Sequence, residues 1–138
     1  LVPDSHAPTG IGWAYENRTS AIRIPASGPK ARRIEHRVAG GDVNPYLTLA
    51  AILGAALNGI EDATEPPAPV SGNAYEQGLE QLPATWAEAI DSFAGSAEIR
   101  RIFPAHLVEN FVMTKRQELH YMAELSDEET VELYLDTV

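Results

Sequence analysis

Three consecutive segments decide the fold: Asn17-Arg18-Thr19-Ser20-Ala21-Ile22-Arg23-Ile24-Pro25, then Ala26-Ser27-Gly28-Pro29-Lys30-Ala31, then Arg32-Arg33-Ile34-Glu35-His36-Arg37-Val38. The first carries β-branched residues at Thr19, Ile22 and Ile24 and stops at Pro25, which predicts a strand over 17–25. The second, rich in Gly and Pro, predicts a turn over 26–31. The third predicts a second strand over 32–38, ended by Gly40-Gly41, and the short connection makes the two an antiparallel pair. Side chains alternate along a strand. Arg33, Glu35 and Arg37 therefore share one face, and Ile34 and His36 point to the other, where Ile34 can reach a core.

Working outward, residues 1–16 are rich in Pro, Gly and Ser and read as loop. Downstream, Asn44-Pro45 is a helix start, because Asn caps and Pro at the first helical position loses no hydrogen bond. The helix runs through Leu49, Leu53 and Leu57 to a stop at Gly59. It is apolar on nearly every side, which predicts burial on most faces. Pro66, Pro67 and Pro69 keep the next segment irregular. Thr85-Trp86-Ala87-Glu88 is a capping box opening a helix with Trp86, Ile90 and Phe93 on one face and Gly95 as its stop. A longer helix is predicted from about His106 to Glu124, its stripe passing near Leu107, Phe111, Thr114 and Tyr121. Ser126-Asp127-Glu128-Glu129 opens a last helix to about Asp136. Tyr75 reads as an ordinary loop tyrosine. The predicted architecture is α+β, a small antiparallel β-hairpin followed by packed α-helices. Its organisation is a loop and hairpin over 1–43, a buried helix over 44–60, an irregular segment over 61–82 and a helical region over 83–138.

The 138 residues suit one domain or a fragment of a larger one, and 44% hydrophobic residues supply a core. There is no cysteine, which removes disulfides and thiolate chemistry and fits a reducing, cytoplasmic compartment. No apolar run is long enough to span a bilayer. Leu1-Val2-Pro3-Asp4 lacks the basic and hydrophobic regions of a signal peptide. It also lacks an initiator Met, as expected of a chain that begins inside a longer protein.

The formal net charge is −10, yet six of the ten basic residues (Arg18, Arg23, Lys30, Arg32, Arg33 and Arg37) fall within twenty positions that hold one carboxylate, Glu35. A cationic patch on an anionic chain points to a small anionic ligand. The acidic remainder and the lack of aromatics among residues 18–37 argue against nucleic acid and anionic membranes. A carboxylate between guanidiniums suits a hard cation and phosphate together. Carboxylate oxygen ligates Mg²⁺ or Mn²⁺, and guanidiniums bind phosphate or carboxylate in bidentate fashion. Phosphoryl transfer requires such preorganised positive charge. The same spacing also fits a solvated ladder of surface ion pairs, each worth ~0–1 kcal/mol. Spacing alone leaves both readings open.

Several motifs occur together and in order: Leu1-Val2-Pro3 before Ala7-Pro8, Asn17-Arg18-Thr19, Ile22-Arg23-Ile24-Pro25, Pro29-Lys30-Ala31-Arg32-Arg33-Ile34-Glu35-His36-Arg37, and Asn44-Pro45-Tyr46-Leu47. With the Ala-rich helix to Gly59-Ile60, this set resembles the late catalytic-domain motifs of glutamine synthetases, and it weakens after residue 62. The resemblance implies an ATP-dependent ligase that phosphorylates the γ-carboxylate of glutamate and then forms a γ-glutamyl amide. By it, Glu35 matches a metal-binding glutamate for Mg²⁺ or Mn²⁺ and Arg37 an arginine that contacts glutamate. Arg18 matches an arginine at the transferred phosphoryl group. Arg23 and Arg33 match arginines on the nucleotide phosphates, and Lys30 stands where the family places a residue near the nucleotide.

His6 occupies the position at which ammonia-using members carry a glutamate, and histidine is a base near neutral pH. The segment Gly12 to Thr19 is more similar to the branch that includes γ-glutamylpolyamine synthetases. The implied amine is therefore ammonia or an organic amine. Family members are homo-oligomeric rings with most metal ligands upstream and a neighbouring subunit contributing to the site. The 138-residue chain is thus expected to be inactive by itself, to bind ATP weakly or not at all, and to self-associate through unpaired edges. The alternative, a non-catalytic binding or assembly module of the same fold, has no use for Glu35, Arg37, Arg18 and Arg23 together.

Overall fold

The computed structural model describes Pro3, Ser5 and residues 7–137. The chain is α+β and divides into two compact units, one of residues 1–41 and 64–84, the other of residues 42–63 and 85–138.

The first unit holds a small sheet of order β1-β2-β3: β1 (Trp13–Tyr15), β2 (Ile22–Ile24) and β3 (Glu35–His36). As the sequence predicts, β2 and β3 are antiparallel, with Ile22 opposite His36 and Arg23 opposite Glu35. Both strands are much shorter than predicted, and the 26–31 turn contains a 3-10 turn at Pro29–Ala31. A strand inside the predicted loop is a correction: β1 pairs with β2 in parallel, Trp13 opposite Ile22 and Tyr15 opposite Ile24. Parallel neighbours ordinarily need a long crossover. Here each strand has three residues, so the return is about two residue rises, roughly 7 Å, and the segment 16–21 covers it. Glu16, at φ 53, starts that return. A second correction concerns Ile34, which is 70% exposed rather than inserted in a core. It lies outside the two-residue β3, so strand alternation does not govern its direction.

The irregular segment 64–84 returns to this sheet and its flanking loops. Val70 N–H bonds the Trp13 carbonyl at 2.8 Å, Ile11 N–H the Glu80 carbonyl at 2.7 Å and Leu82 N–H the Thr9 carbonyl at 2.8 Å. The Trp13 indole N–H donates to the Pro67 carbonyl at 2.7 Å. The Tyr75 hydroxyl donates to the Ala7 carbonyl at 2.8 Å, so this tyrosine fastens the loop on which the early motifs lie.

The second unit comprises α1 (Pro45–Glu61), α2 (Trp86–Gly95), α3 (Ala97–Ile102), α4 (Ala105–Met122) and α5 (Asp127–Thr137). The predicted caps form. Asn44 Oδ1 accepts from Tyr46 and Leu47 N–H at 3.0 and 3.1 Å. Thr85 and Glu88 exchange both capping-box bonds, at 3.1 and 3.2 Å. Ser126 and Glu129 do the same at the start of α5. Gly59 does not stop α1, which continues to Glu61; Gly carries no αL demand there. Helix α3, unforeseen, is a single short run capped by Ser96.

Ile90, Phe103, Val108 and Val112 form the core of this unit, with Leu47, Ala51, Trp86, Phe93 and Ile102 against it. In α4 the buried face passes through Val108 and Val112 rather than through Thr114 and Tyr121, and Tyr121 is exposed. Burial of α1 is the largest correction, because the helix contains no buried residue. One face, Leu47, Ala51 and Gly54, meets the core and α3. Tyr46, Leu49, Leu53, Leu57 and Ile60 lie on another stripe and are exposed, Tyr46 at 83%. Among the described residues nothing covers that stripe.

Gly54 of α1 lies tight against Ile102 of α3. A Cβ there would stand 2.6 Å from Ile102 Cγ2 and 2.8 Å from Cγ1, whereas one at Gly59 would meet nothing within 4 Å. Gly54→Ala is therefore expected to destabilise the chain by about 1–3 kcal/mol through overpacking. Gly59→Ala is expected to stabilise it by up to about 1 kcal/mol through helix propensity. Urea unfolding of both variants checks the opposite signs.

Candidate active site

The β2–β3 register places Arg23 directly opposite Glu35, and opposed residues in an antiparallel pair present their side chains to the same face. Arg23 Nη1 donates to Glu35 Oε2 at 2.8 Å. Arg33 approaches from the other side, its Nη2 and Nε donating to Glu35 Oε1 at 2.8 and 3.2 Å. Arg23 in turn donates from Nη2 to Glu16 Oε2 at 2.8 Å. The result is a charge-alternating row, Glu16, Arg23, Glu35, Arg33, built from charge-assisted hydrogen bonds. Its centre is the most protected part: the side chains of Arg23 and Glu35 are 13% and 25% exposed.

These contacts set the protonation of the row. The Arg23 hydrogen bond, followed by that of Arg33, holds the Glu35 carboxyl below the usual carboxylate range against the opposing effect of burial. Glu16 is held low as well, first by the Ala26 N–H and then by Arg23. The two carboxylates, Glu35 ahead of Glu16, push the Arg23 guanidinium up. All three groups remain ionised near neutral pH. Arg23 Nε is buried and, among the described residues, has no hydrogen-bond partner.

Arg18 is presented by a loop fastened on both sides of it. Asn17 Oδ1 accepts from the N–H and hydroxyl of Thr19 at 3.0 and 2.7 Å. Asn17 Nδ2 donates to the Gly72 carbonyl at 2.7 Å, and the Thr19 hydroxyl oxygen accepts from Ala74 N–H at 3.0 Å. Arg18 itself is exposed and, with Tyr15, Glu16, Asn17, Arg23, Val70, Ser71 and Gly72, lines an open cleft of about 610 Å³. Arg37 is tied to the same loop: its N–H bonds the Ala21 carbonyl at 2.9 Å, and its Nε donates to the Arg18 carbonyl at 3.2 Å.

The structure thus brings Arg23, Arg33 and Glu35 into direct contact, joins Arg37 to the Arg18 backbone, and sets Arg18 and Arg23 on one cleft. Lys30 sits exposed in the Pro29–Ala31 turn, and no hydrogen bond or ion pair among the described residues joins it to the row. His6 lies outside the described residues. Glu16 is the residue that sequence reading missed. Its signal is faint, a lone acid two positions before the first arginine of the basic window. The donor set does not fit a Mg²⁺ or Mn²⁺ site made by this chain alone. Such an ion takes several oxygen ligands, Glu35 is one carboxylate with both oxygens engaged by arginines, and no group of three or more His, Asp or Glu side chains among the described residues could hold a metal.

A sheet that concentrates guanidiniums around one carboxylate suits the binding of oxyanions. The comparisons identify the class. The family model described as "Glutamine synthetase, catalytic domain" matches residues 1–134. The chain is 39% identical over 117 residues to gamma-glutamylethanolamide synthetase GlnA4 of Streptomyces coelicolor, covering 85% of this chain and 25% of that protein. It is 40% identical over 120 residues to the glutamine synthetase of Thermotoga maritima, covering 81% and 27%. A solved structure titled "Apo GmaS without ligand" superposes with a TM-score of 0.73 at 31% identity, covering 91% of this chain and 30% of that one. The chain belongs to the glutamine synthetase family and spans between a quarter and a third of the length of these relatives.

Because Glu35 titrates below its unfolded value of 4.5, its ion pairs contribute stability above that pH, and the contribution is lost as pH falls through the lower, folded value. The stability gap between wild type and Glu35→Gln is expected to be constant from pH 7 to about 5 and to close below about 4.5. Urea titrations of both proteins across that range check it. A gap of the same size at pH 3 would contradict it.

Proposed function

We propose that this chain is the carboxy-terminal part of the catalytic domain of an ATP-dependent carbon–nitrogen ligase, which makes a γ-glutamyl amide from glutamate and either ammonia or an organic amine. The observation that carries the reading is the Arg23–Glu35–Arg33 array with Arg18 presented beside it. In the reaction a γ-carboxylate oxygen of glutamate attacks the terminal phosphorus of ATP and ADP leaves. The amine nitrogen then attacks the γ-carbonyl carbon and phosphate leaves. Both steps gather negative charge on phosphoryl oxygens, and fixed guanidiniums lower the barrier by meeting that charge without reorganising.

In this reading Arg18 faces the transferred phosphoryl group, Arg23 and Arg33 the nucleotide phosphates with Lys30 nearby, and Arg37 the glutamate substrate. Glu35 offers one oxygen donor toward a divalent ion whose other ligands lie in the rest of the parent protein. By sequence position, His6 matches the family's residue that deprotonates the amine. A relative named for an ethanolamide product and relatives named glutamine synthetase keep both amine classes in this reading. A homo-oligomeric, cytoplasmic parent belongs to the same reading. The bare stripe on α1 supports self-association of the isolated chain.

The test is phosphate release by the intact parent with ATP, glutamate and a panel of ammonia, ethanolamine and polyamines, alongside calorimetry of the 138-residue chain with ATP. Turnover is expected to require glutamate and one amine class, and Arg18→Ala is expected to lower kcat by about 10²-fold or more. The isolated chain is expected to show no turnover and no micromolar ATP binding. Micromolar binding by the chain alone would contradict the account of a divided site. A parent inert with every amine would favour the non-catalytic module.

A further inference from the structure

We propose that Glu16 is a positioning residue, whose carboxylate fixes the Arg23 guanidinium as one wall of the cleft in which Arg18 stands. The identity of the ligand that meets this wall, a phosphate-bearing one, rests on the ligase reading. The placement of Arg23 rests on geometry alone.

Three features of the structure converge on Glu16. First, Arg23 is gripped from two directions, Nη1 by Glu35 and Nη2 by Glu16, each at 2.8 Å. Turning the guanidinium about its Nε–Cζ bond, already hindered by delocalisation, must break two charge-assisted bonds when both terminal nitrogens are held and only one when a single nitrogen is. With Nε buried and unpaired among the described residues, the two carboxylates supply the hydrogen bonds that orient the group. Second, the other Glu16 oxygen accepts from the Ala26 N–H, just past the end of β2, while the Glu16 N–H bonds the Ile24 carbonyl at 3.2 Å. One side chain and its own backbone therefore tie the end of β1 to the end of β2, with Arg23 between them. Third, Glu16 holds φ 53, a left-handed conformation that residues with a Cβ rarely adopt. That conformation turns the chain into the 16–21 return while the Glu16 side chain closes back on Arg23.

The consequence for the cleft is a division of labour between its two arginines. Arg23, with a carboxylate on each terminal nitrogen, offers an incoming oxyanion a fixed cation on the cleft wall with fewer free N–H donors. Arg18, exposed and with no carboxylate partner among the described residues, keeps all its donors open to one. Glu16 thereby sets both the orientation of Arg23 and the balance of charge around Arg18.

The experiment is ¹⁵N NMR of the arginine side chains in the 138-residue chain, with the Arg23 signals assigned by Arg23→Lys. Wild type is expected to give separate Nη1 and Nη2 resonances for Arg23. Glu16→Gln is expected to collapse them to one averaged signal while the β2–β3 cross-strand NOEs persist. Glu16→Asp, one methylene shorter, is expected to do the same. Resolved Arg23 signals in Glu16→Gln would overturn the proposal, because Glu35 would then suffice. Averaged signals in wild type would overturn it, as would loss of the cross-strand NOEs in both variants, which would make Glu16 a folding residue. Failure of the ligase reading would appear in turnover by the parent and leave these signals unchanged.

Discussion

The cross-strand pair of Arg23 and Glu35 is the constraint on which the site depends. Two three- and two-residue strands cannot hold register by length, and a one-residue slip would send every side chain to the opposite face. Pairing one guanidinium with one carboxylate at a single opposed position names the register. It also explains how two guanidiniums are kept close together. Glu16 and Glu35 are interleaved with Arg23 and Arg33, so each cation has an anion beside it and the repulsion between arginines is screened locally. Isolated surface ion pairs contribute little. A row whose centre is mostly shielded from solvent is a different case, and its value here is the fixed placement of charge more than stability.

The second unit shows the opposite situation, an element with more apolar surface than its neighbours cover. Helix α1 reads as a buried helix because its composition is that of one. Only the Leu47, Ala51 and Gly54 face meets other residues described here, while Tyr46, Leu53 and Ile60 recur at seven-residue intervals on the bare side. Such a period is that of a helix packed along its length against another element. The relatives are three to four times as long as this chain, which is consistent with surface of that kind being interior in a complete catalytic domain.

Much of this was legible in the sequence, for identifiable reasons. Caps were read correctly because they are local: Asn44-Pro45, Thr85 to Glu88 and Ser126 to Glu129 each specify their bonds within four residues. The β2–β3 pair was legible because a short Gly-Pro turn joins alternating segments. Strand β1 was hidden because Trp13-Ala14-Tyr15 is brief, sits among Gly and Pro, and pairs in parallel. The return of 64–84 to the first unit could not be seen, since bonds such as Trp13 to Pro67 and Tyr75 to Ala7 join residues more than fifty positions apart. In the site, the basic residues and Glu35 stood out by charge density. Glu16 did not, because its role follows from a left-handed turn that no side-chain pattern announces.

The family assignment and the site geometry meet in one claim: that Arg23 and Glu35 act as a unit to order the cationic hairpin. A double-mutant cycle on stability, comparing Arg23→Gln, Glu35→Gln and the double variant with wild type, measures that unit directly. If the pair is the organising interaction, the two single losses will sum to clearly more than the loss in the double variant. Strictly additive losses would show that the two side chains are neighbours without being partners, and the account of the site would fail at its centre.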